Sequence, residues 1–149
     1  MSILSDSRRT SAPWHLWVVG VLSLLWNAMG ALDYVMTQTR NEQYMSAFSE
    51  EQLAFFYGLP VWVVACWAIA VWGGVLGSLL LLFRRRLAVV VFLVSLVTMV
   101  ATTVHNYLLS NGLEVMNDPF TLWFSGAIFV IAVFLFFYAG IQSQRNILR

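Results

Sequence analysis

The sequence predicts an all-α fold: an integral membrane four-helix bundle, both termini cytoplasmic, with a short amphipathic helix in the first external loop. Three observations predict it. The first is composition, with 60% of residues hydrophobic and 10% charged, whereas soluble domains run at roughly 45–50% and about 25%. The second is where the apolar residues fall. Four runs, Leu16–Met36, Val61–Phe83, Leu87–Leu109 and Phe120–Ile141, contain no Lys or Arg. At about 1.5 Å per residue, each reaches across the roughly 30 Å hydrocarbon core of a bilayer. The third is the sidedness of charge beneath a net charge of +1. Arg8, Arg9, Arg84, Arg85, Arg86, Arg145 and Arg149 lie on the N-terminal tail, the second loop or the C-terminal tail. The first and third loops, with the adjoining end of the first span, carry Arg40 against Asp33, Glu42, Glu50, Glu51, Glu114 and Asp118. Basic residues beside span ends stay on the cytoplasmic side. Both termini and the Arg84–Arg86 turn are therefore expected inside, and the two acidic loops outside. The expected spans are about 14–37, 60–83, 87–109 and 119–141, forming one domain.

Taken in order, residues 1–13 are polar and read as a short tail ending at Pro13. The stretch "SRRTSAP" before an apolar run invites a signal-peptide reading, but the run exceeds the 7–15 residues of a signal core. An uncleaved first span is expected, with Trp14 and Trp17 at the inner interface, where aromatic belts sit. In the first external loop, Ser49 and Gln52 have the spacing of a capping box, and Glu50 and Glu51 suit the positive end of a helix. Phe48 is placed to staple onto Leu53, and Gly58 and Pro60 supply the stop. Leu53, Phe56 and Tyr57 share a face, so this helix is expected either to lie on the outer membrane surface or to cover what the spans enclose.

The second span carries Trp62, Trp67 and Trp72, and its inner half pairs Gly73 with Gly77 and Gly74 with Ser78. Small residues at this spacing let helix backbones approach, either within the bundle or between subunits. "FRRRLA" is a tight inner turn in which Arg84, Arg85 and Arg86 anchor topology and can meet anionic lipid. The third span is plain Val, Leu and Phe until Ser95, after which polar residues crowd its outer half. The fourth is almost wholly apolar and is not expected to line a polar site.

The chemistry concentrates in two polar stripes. Asn27, Gly30 and Tyr34 recur at helical spacing on the first span, with Asp33 beside them; Thr98, Thr102 and His105 do so on the third, with Asn106 adjacent. Counting from Pro13 puts Asn27 about 21 Å and Asp33 about 30 Å up, level with the threonines and with His105 and Asn106. One reading is glue, with Asn27 bonding Thr98 or Thr102 and Asp33 pairing with His105. The other is an outward-opening pocket lined by Asn27, Asp33, Tyr34, Thr98, Thr102, His105 and Asn106. Amides, hydroxyls and flat aromatics suit a small polar, sugar-like solute, and an Asp–His pair can carry a proton.

Other chemistries lack their residues. His15 and His105 fall at opposite faces, which excludes a bis-histidine haem, and no metal-ligand spacing, phosphate loop or nucleophile–base pair occurs. Cys66 is the single cysteine, so no internal disulfide forms and thiol oxidation is disfavoured. No cofactor, no enzymatic activity and no nucleic-acid partner are expected.

The segments "APWHLWVVG", "LDYVMTQTRNEQYM", "FYGLPVW", "RRR" and "HNYLL" resemble those of small four-span bacterial inner-membrane proteins that are labelled sugar transporters. The resemblance implies a bacterial inner-membrane location and a transport role, and it carries no residue-by-residue motif. The expected partners are the lipid bilayer and either further copies of the chain or a larger membrane complex. In the complex, the chain would be a non-catalytic accessory subunit.

Overall fold

The structure, a computed structural model, describes residues 11–115 and 118–149. The polar tail with Arg8 and Arg9 therefore lies outside the described residues, apart from its last positions. The described residues are helical, without strands: α1 (Trp14–Gln38), α2 (Glu42–Met45), α3 (Glu50–Tyr57), α4 (Val61–Leu82), α5 (Leu87–Val104), α6 (Gly112–Val115) and α7 (Pro119–Gln144). The chain of α5 continues into a π-turn, His105–Leu109. Four helices are long and apolar enough to cross a membrane: α1, α4, α5 with its π-turn, and α7.

Local chemistry sets the helix ends. Pro13 and Pro60 occupy the N-cap positions of α1 and α4, and Pro119 opens α7, where its missing N–H is no loss. The Asp118 carboxylate accepts from the Thr121 N–H at 3.0 Å, which also holds its pKa below the usual carboxylate range. Ser49 accepts from the Gln52 N–H at 3.2 Å, and the Gln52 side chain accepts from the Ser49 N–H at 3.1 Å. Phe48 meets Phe56, with ring centroids 5.4 Å apart, about one turn beyond the staple partner Leu53.

Three helices end in a left-handed residue that is not glycine: Arg40 (φ 53°), Arg84 (φ 58°) and Asn146 (φ 58°). Each makes the paired backward bonds of a Schellman turn, such as Arg85 N–H to Leu80 O at 2.8 Å and Ile147 N–H to Gln142 O at 3.0 Å.

The helices follow one another around the bundle. α4 packs closely on α1 and α5, and α7 packs on α5. The remaining side, α1 against α7, has no comparably close backbone approach. It is bridged by side chains, with His15 Nδ1 to the Tyr138 hydroxyl at 2.5 Å and Trp26 to Phe124 at 5.5 Å between centroids.

The buried core sits at the end of the bundle that carries Arg84–Arg86. Leu16, Leu81, Ala88, Leu135, Ile147 and Leu148 form one cluster there. The last residues of the chain belong to it, because the turn at Asn146 sends them back under the bundle. Their backbone pairs with the α4–α5 turn: Arg86 N–H donates to Arg149 O at 2.9 Å and Arg149 N–H to Arg84 O at 2.7 Å. The side chains of Arg84 and Arg86 donate to Ile147 O (3.0 Å) and Leu148 O (3.1 Å). The arginine turn thus clasps the C-terminal tail. At the opposite end, where α2, α3 and α6 lie, the bundle opens.

Candidate functional site

Close packing at the arginine end and a wide α1–α7 seam leave a cavity of about 620 Å³ in the other half of the bundle. Residues of α1, α4, α5 and α7 form its walls, and Tyr44 of α2, Phe48 of the α2–α3 connection and Phe56 of α3 lie at its mouth. Along α7 it reaches from Phe120 to Leu135, about 22 Å of helix. Its volume falls within the roughly 300–1,000 Å³ of small-molecule sites.

Asn27 lines this cavity and fastens two helices. Its amide nitrogen donates to Ser23 O at 2.8 Å and to the Ser78 hydroxyl at 3.2 Å, and Ser78 donates onward to Gly74 O at 2.8 Å. Gly74 makes room for it, since a Cβ there would collide with the Asn27 side chain. The partner is thus on α4 rather than Thr98 or Thr102 on α5. The physical reason is neighbourhood: depth alone matches α1 with α5, but α1 packs on α4. The Gly74–Ser78 pair was the available signal.

Gly73 and Gly77 also face inward. A Cβ on Gly73 would stand 3.2 Å from Ser95 Cβ, and one on Gly77 2.7 Å from the Phe92 ring. Both sites of contact are on α5. Ser95 crosses the same seam, donating to Ala70 O at 2.6 Å.

Asp33 lines the mouth and accepts a hydrogen bond from the Tyr44 hydroxyl. Asp33 and His105 are not brought together. His105 sets its ring edge-on to Trp62, with centroids 5.3 Å apart, and places Nδ1 3.2 Å from Asn106 Oδ1. Tyr34 likewise turns to Trp67 (4.9 Å, 82°), so it supports the wall from behind while Trp67 lines it. Thr98 returns its hydroxyl to Val94 O and Ser95 O and is not among the lining residues. The stripe of α5 that faces the cavity is Ser95, Met99, Thr102 and Asn106, with Thr103 and Tyr107 beside it. It has the same helical spacing as the expected stripe but is centred on a different line. Its end is the π-turn, a local widening frequent at functional sites. Gly112 lets α6 rest on that turn, since a Cβ there would meet the Asn106 carbonyl. The Tyr107 hydroxyl lies 2.8 Å from the Ser125 hydroxyl and ties α5 to α7.

Tyr44 was not singled out by sequence reasoning; it lies on the single turn of α2, too short to carry a periodic partner that would mark it. Burial, then the hydrogen bond and negative charge of Asp33, push its hydroxyl up to about 12. A phenol ionises near 10 when unfolded. Raised in the folded state, Tyr44 contributes stability that is intact below pH 10 and lost as pH rises through 12. In an absorbance titration at alkaline pH, the signal lost in Tyr44→Phe should therefore be a late-ionising one. An ionisation near 10 in that difference curve would break the Asp33–Tyr44 latch.

Among the described residues, no group of three or more His, Cys, Asp or Glu is placed to hold a metal ion. Comparison with protein-family models, curated proteins and solved structures finds no match to this chain.

Proposed function

We propose that this is a multi-pass protein of the bacterial inner membrane that binds a small solute in the cavity, on the path of its transport. The observation that carries this reading is the cavity itself: about 620 Å³, with Asp33, Tyr44 and Asn106 toward its mouth and aromatic walls below. The four long helices support membrane insertion. The clustering of Arg84–Arg86, Arg145 and Arg149 at one end supports a cytoplasmic position for that end and an outward-facing mouth.

The test is Thr102→Cys in a Cys66→Ala background, exposed in intact cells to a membrane-impermeant maleimide. Labelling of Cys at this position is expected on this reading, because Thr102 lines the cavity and the reading has that cavity reached by water from outside. Absence of labelling in cells, with full labelling in denaturant, would close the pocket to the outside and end this reading.

A second reading, an accessory subunit of a larger complex, is favoured by α7. It packs mainly on α5, and only 6% of its most apolar stretch is buried. Native mass spectrometry after gentle extraction decides: a stoichiometric companion polypeptide would make the chain a subunit, and its absence favours the solute-binding reading.

A further inference from the structure

The polar wall is less available than its composition suggests. The hydroxyl hydrogens of Thr102 and Thr103 go to the carbonyls of Thr98 and Met99, each at 2.9 Å, and that of Ser95 goes to Ala70 O. The amide of Asn27 is taken by Ser23 and Ser78, and Tyr107 and Ser125 hold each other. A sugar needs many free donors and acceptors converging on it, and these donors are already used.

The one charged side chain among the described lining residues is negative. Asp33 has a hydroxyl, not a cation, as its partner among the described residues. Arg40, the nearest cation in sequence, stacks over the Tyr57 ring at 4.3 Å instead. Around the carboxylate, Tyr44 meets Phe48 (6.2 Å) and Phe48 meets Phe56 (5.4 Å), so a continuous aromatic cluster adjoins it at the mouth. A carboxylate beside aromatic rings is the recognition chemistry of alkylated ammonium groups, which ring faces attract through their quadrupoles. Below the mouth the floor is hydrocarbon: Ile128, Ile131, Ala132 and Leu135.

From this arrangement we propose that the occupant is a lipophilic organic cation. Its ammonium group sits between Asp33 and the Tyr44–Phe48–Phe56 cluster, and its hydrocarbon part lies on the α7 floor. The wide α1–α7 seam, bridged at mid-height by Trp26 and Phe124, gives such an amphiphile a lateral way in from the bilayer. The proposal rests on the pocket reading above and deepens it.

The experiment uses the full chain in lipid nanodiscs, with empty nanodiscs subtracted, and follows the emission of the wall residues Trp26 and Trp67. Three probes are titrated: phenyltrimethylammonium, its uncharged isostere tert-butylbenzene, and D-glucose. The cation is expected to bind at least about tenfold more tightly than the isostere. Asp33→Asn should erase that preference and Asp33→Glu should retain it. Equal binding of the two isosteres by the unmodified chain overturns the proposal, however the variants fold, and so does a preference that survives Asp33→Asn. Glucose binding without cation binding would leave the pocket standing and remove the cation. No binding of any probe, with no labelling at Thr102→Cys, would remove both.

Discussion

Leu148→Ala is expected to cost the bundle about 2–5 kcal/mol, the range for truncating a fully buried leucine. The second-last residue of a chain is ordinarily frayed and tolerant. Here Leu148 is 0% exposed, in one cluster with Leu16 of α1, Leu81 of α4, Ala88 of α5 and Leu135 of α7. All four long helices therefore contribute to the cluster it belongs to. The tail is held in place by main-chain bonds to the α4–α5 turn and by the Arg86 guanidinium, which donates to Leu148 O and, at 2.9 Å, to Asn146 Oδ1. Removing the side chain leaves a void where the helices converge, and the clasp limits how far the tail can move to fill it. Equilibrium unfolding in mixed dodecyl maltoside–SDS micelles, followed by far-UV circular dichroism, measures the loss. Arg149→Ala, which removes an exposed side chain but keeps the main-chain bonds, should stay within about 0.5 kcal/mol of the parent. If Leu148→Ala is equally mild, the tail does not complete the core.

The long helices were legible because their signals are local and redundant. Each apolar run is bounded by a proline or by the arginine turn, and no alternative structure accommodates such runs. The C-terminal hook was not legible. Its turning residue is Asn146 rather than glycine, and its apolar pair, Ile147–Leu148, is too short to carry a period. Arg84–Arg86 read as a topology anchor because charge sidedness is visible in a sequence, whereas a clasp on a segment some 60 residues away is not.

The site was legible in its materials but not in its pairings. Asn27, Asp33, Thr102 and Asn106 do line the cavity. Tyr34, Thr98 and His105 share the periodicity but are turned to Trp67, to backbone carbonyls and to Trp62. Helical spacing defines a stripe only to within one residue on either side. Which edge of the stripe faces inward depends on which helix is the neighbour, and that is tertiary information. Tyr44, Phe48 and Phe56 come from the segment between α1 and α4, whose position over the bundle no periodicity encodes.

Gly77→Ile should be the most disruptive change in α4. Lipid is as apolar as a side chain, so helices in a bilayer gain little from burial and associate through close packing and hydrogen bonds. The α4–α5 seam has both: Gly73 and Gly77 admit Ser95 and Phe92, and Ser95 bonds to Ala70 O across it. A Cβ at Gly77 would stand 2.7 Å from Cδ1 and Cε1 of Phe92, a ring only 4% exposed and itself part of the core cluster. That ring has no open space to retreat into, so isoleucine must push the helices apart. The shift would stretch the Ser95 bond and widen the cavity wall above. A loss of about 1–3 kcal/mol, the usual cost of overpacking, is the lower expectation. Gly126→Ile on α7, where a Cβ meets nothing within 4 Å, is the matched control and should be mild. Native mass spectrometry separates this account from an intersubunit role of the glycine face. Loss of stability at constant mass assigns Gly77 to the seam within the bundle. A fall in mass with unchanged stability would mean that the glycines join two copies of the chain, and the Phe92 contact would carry no weight.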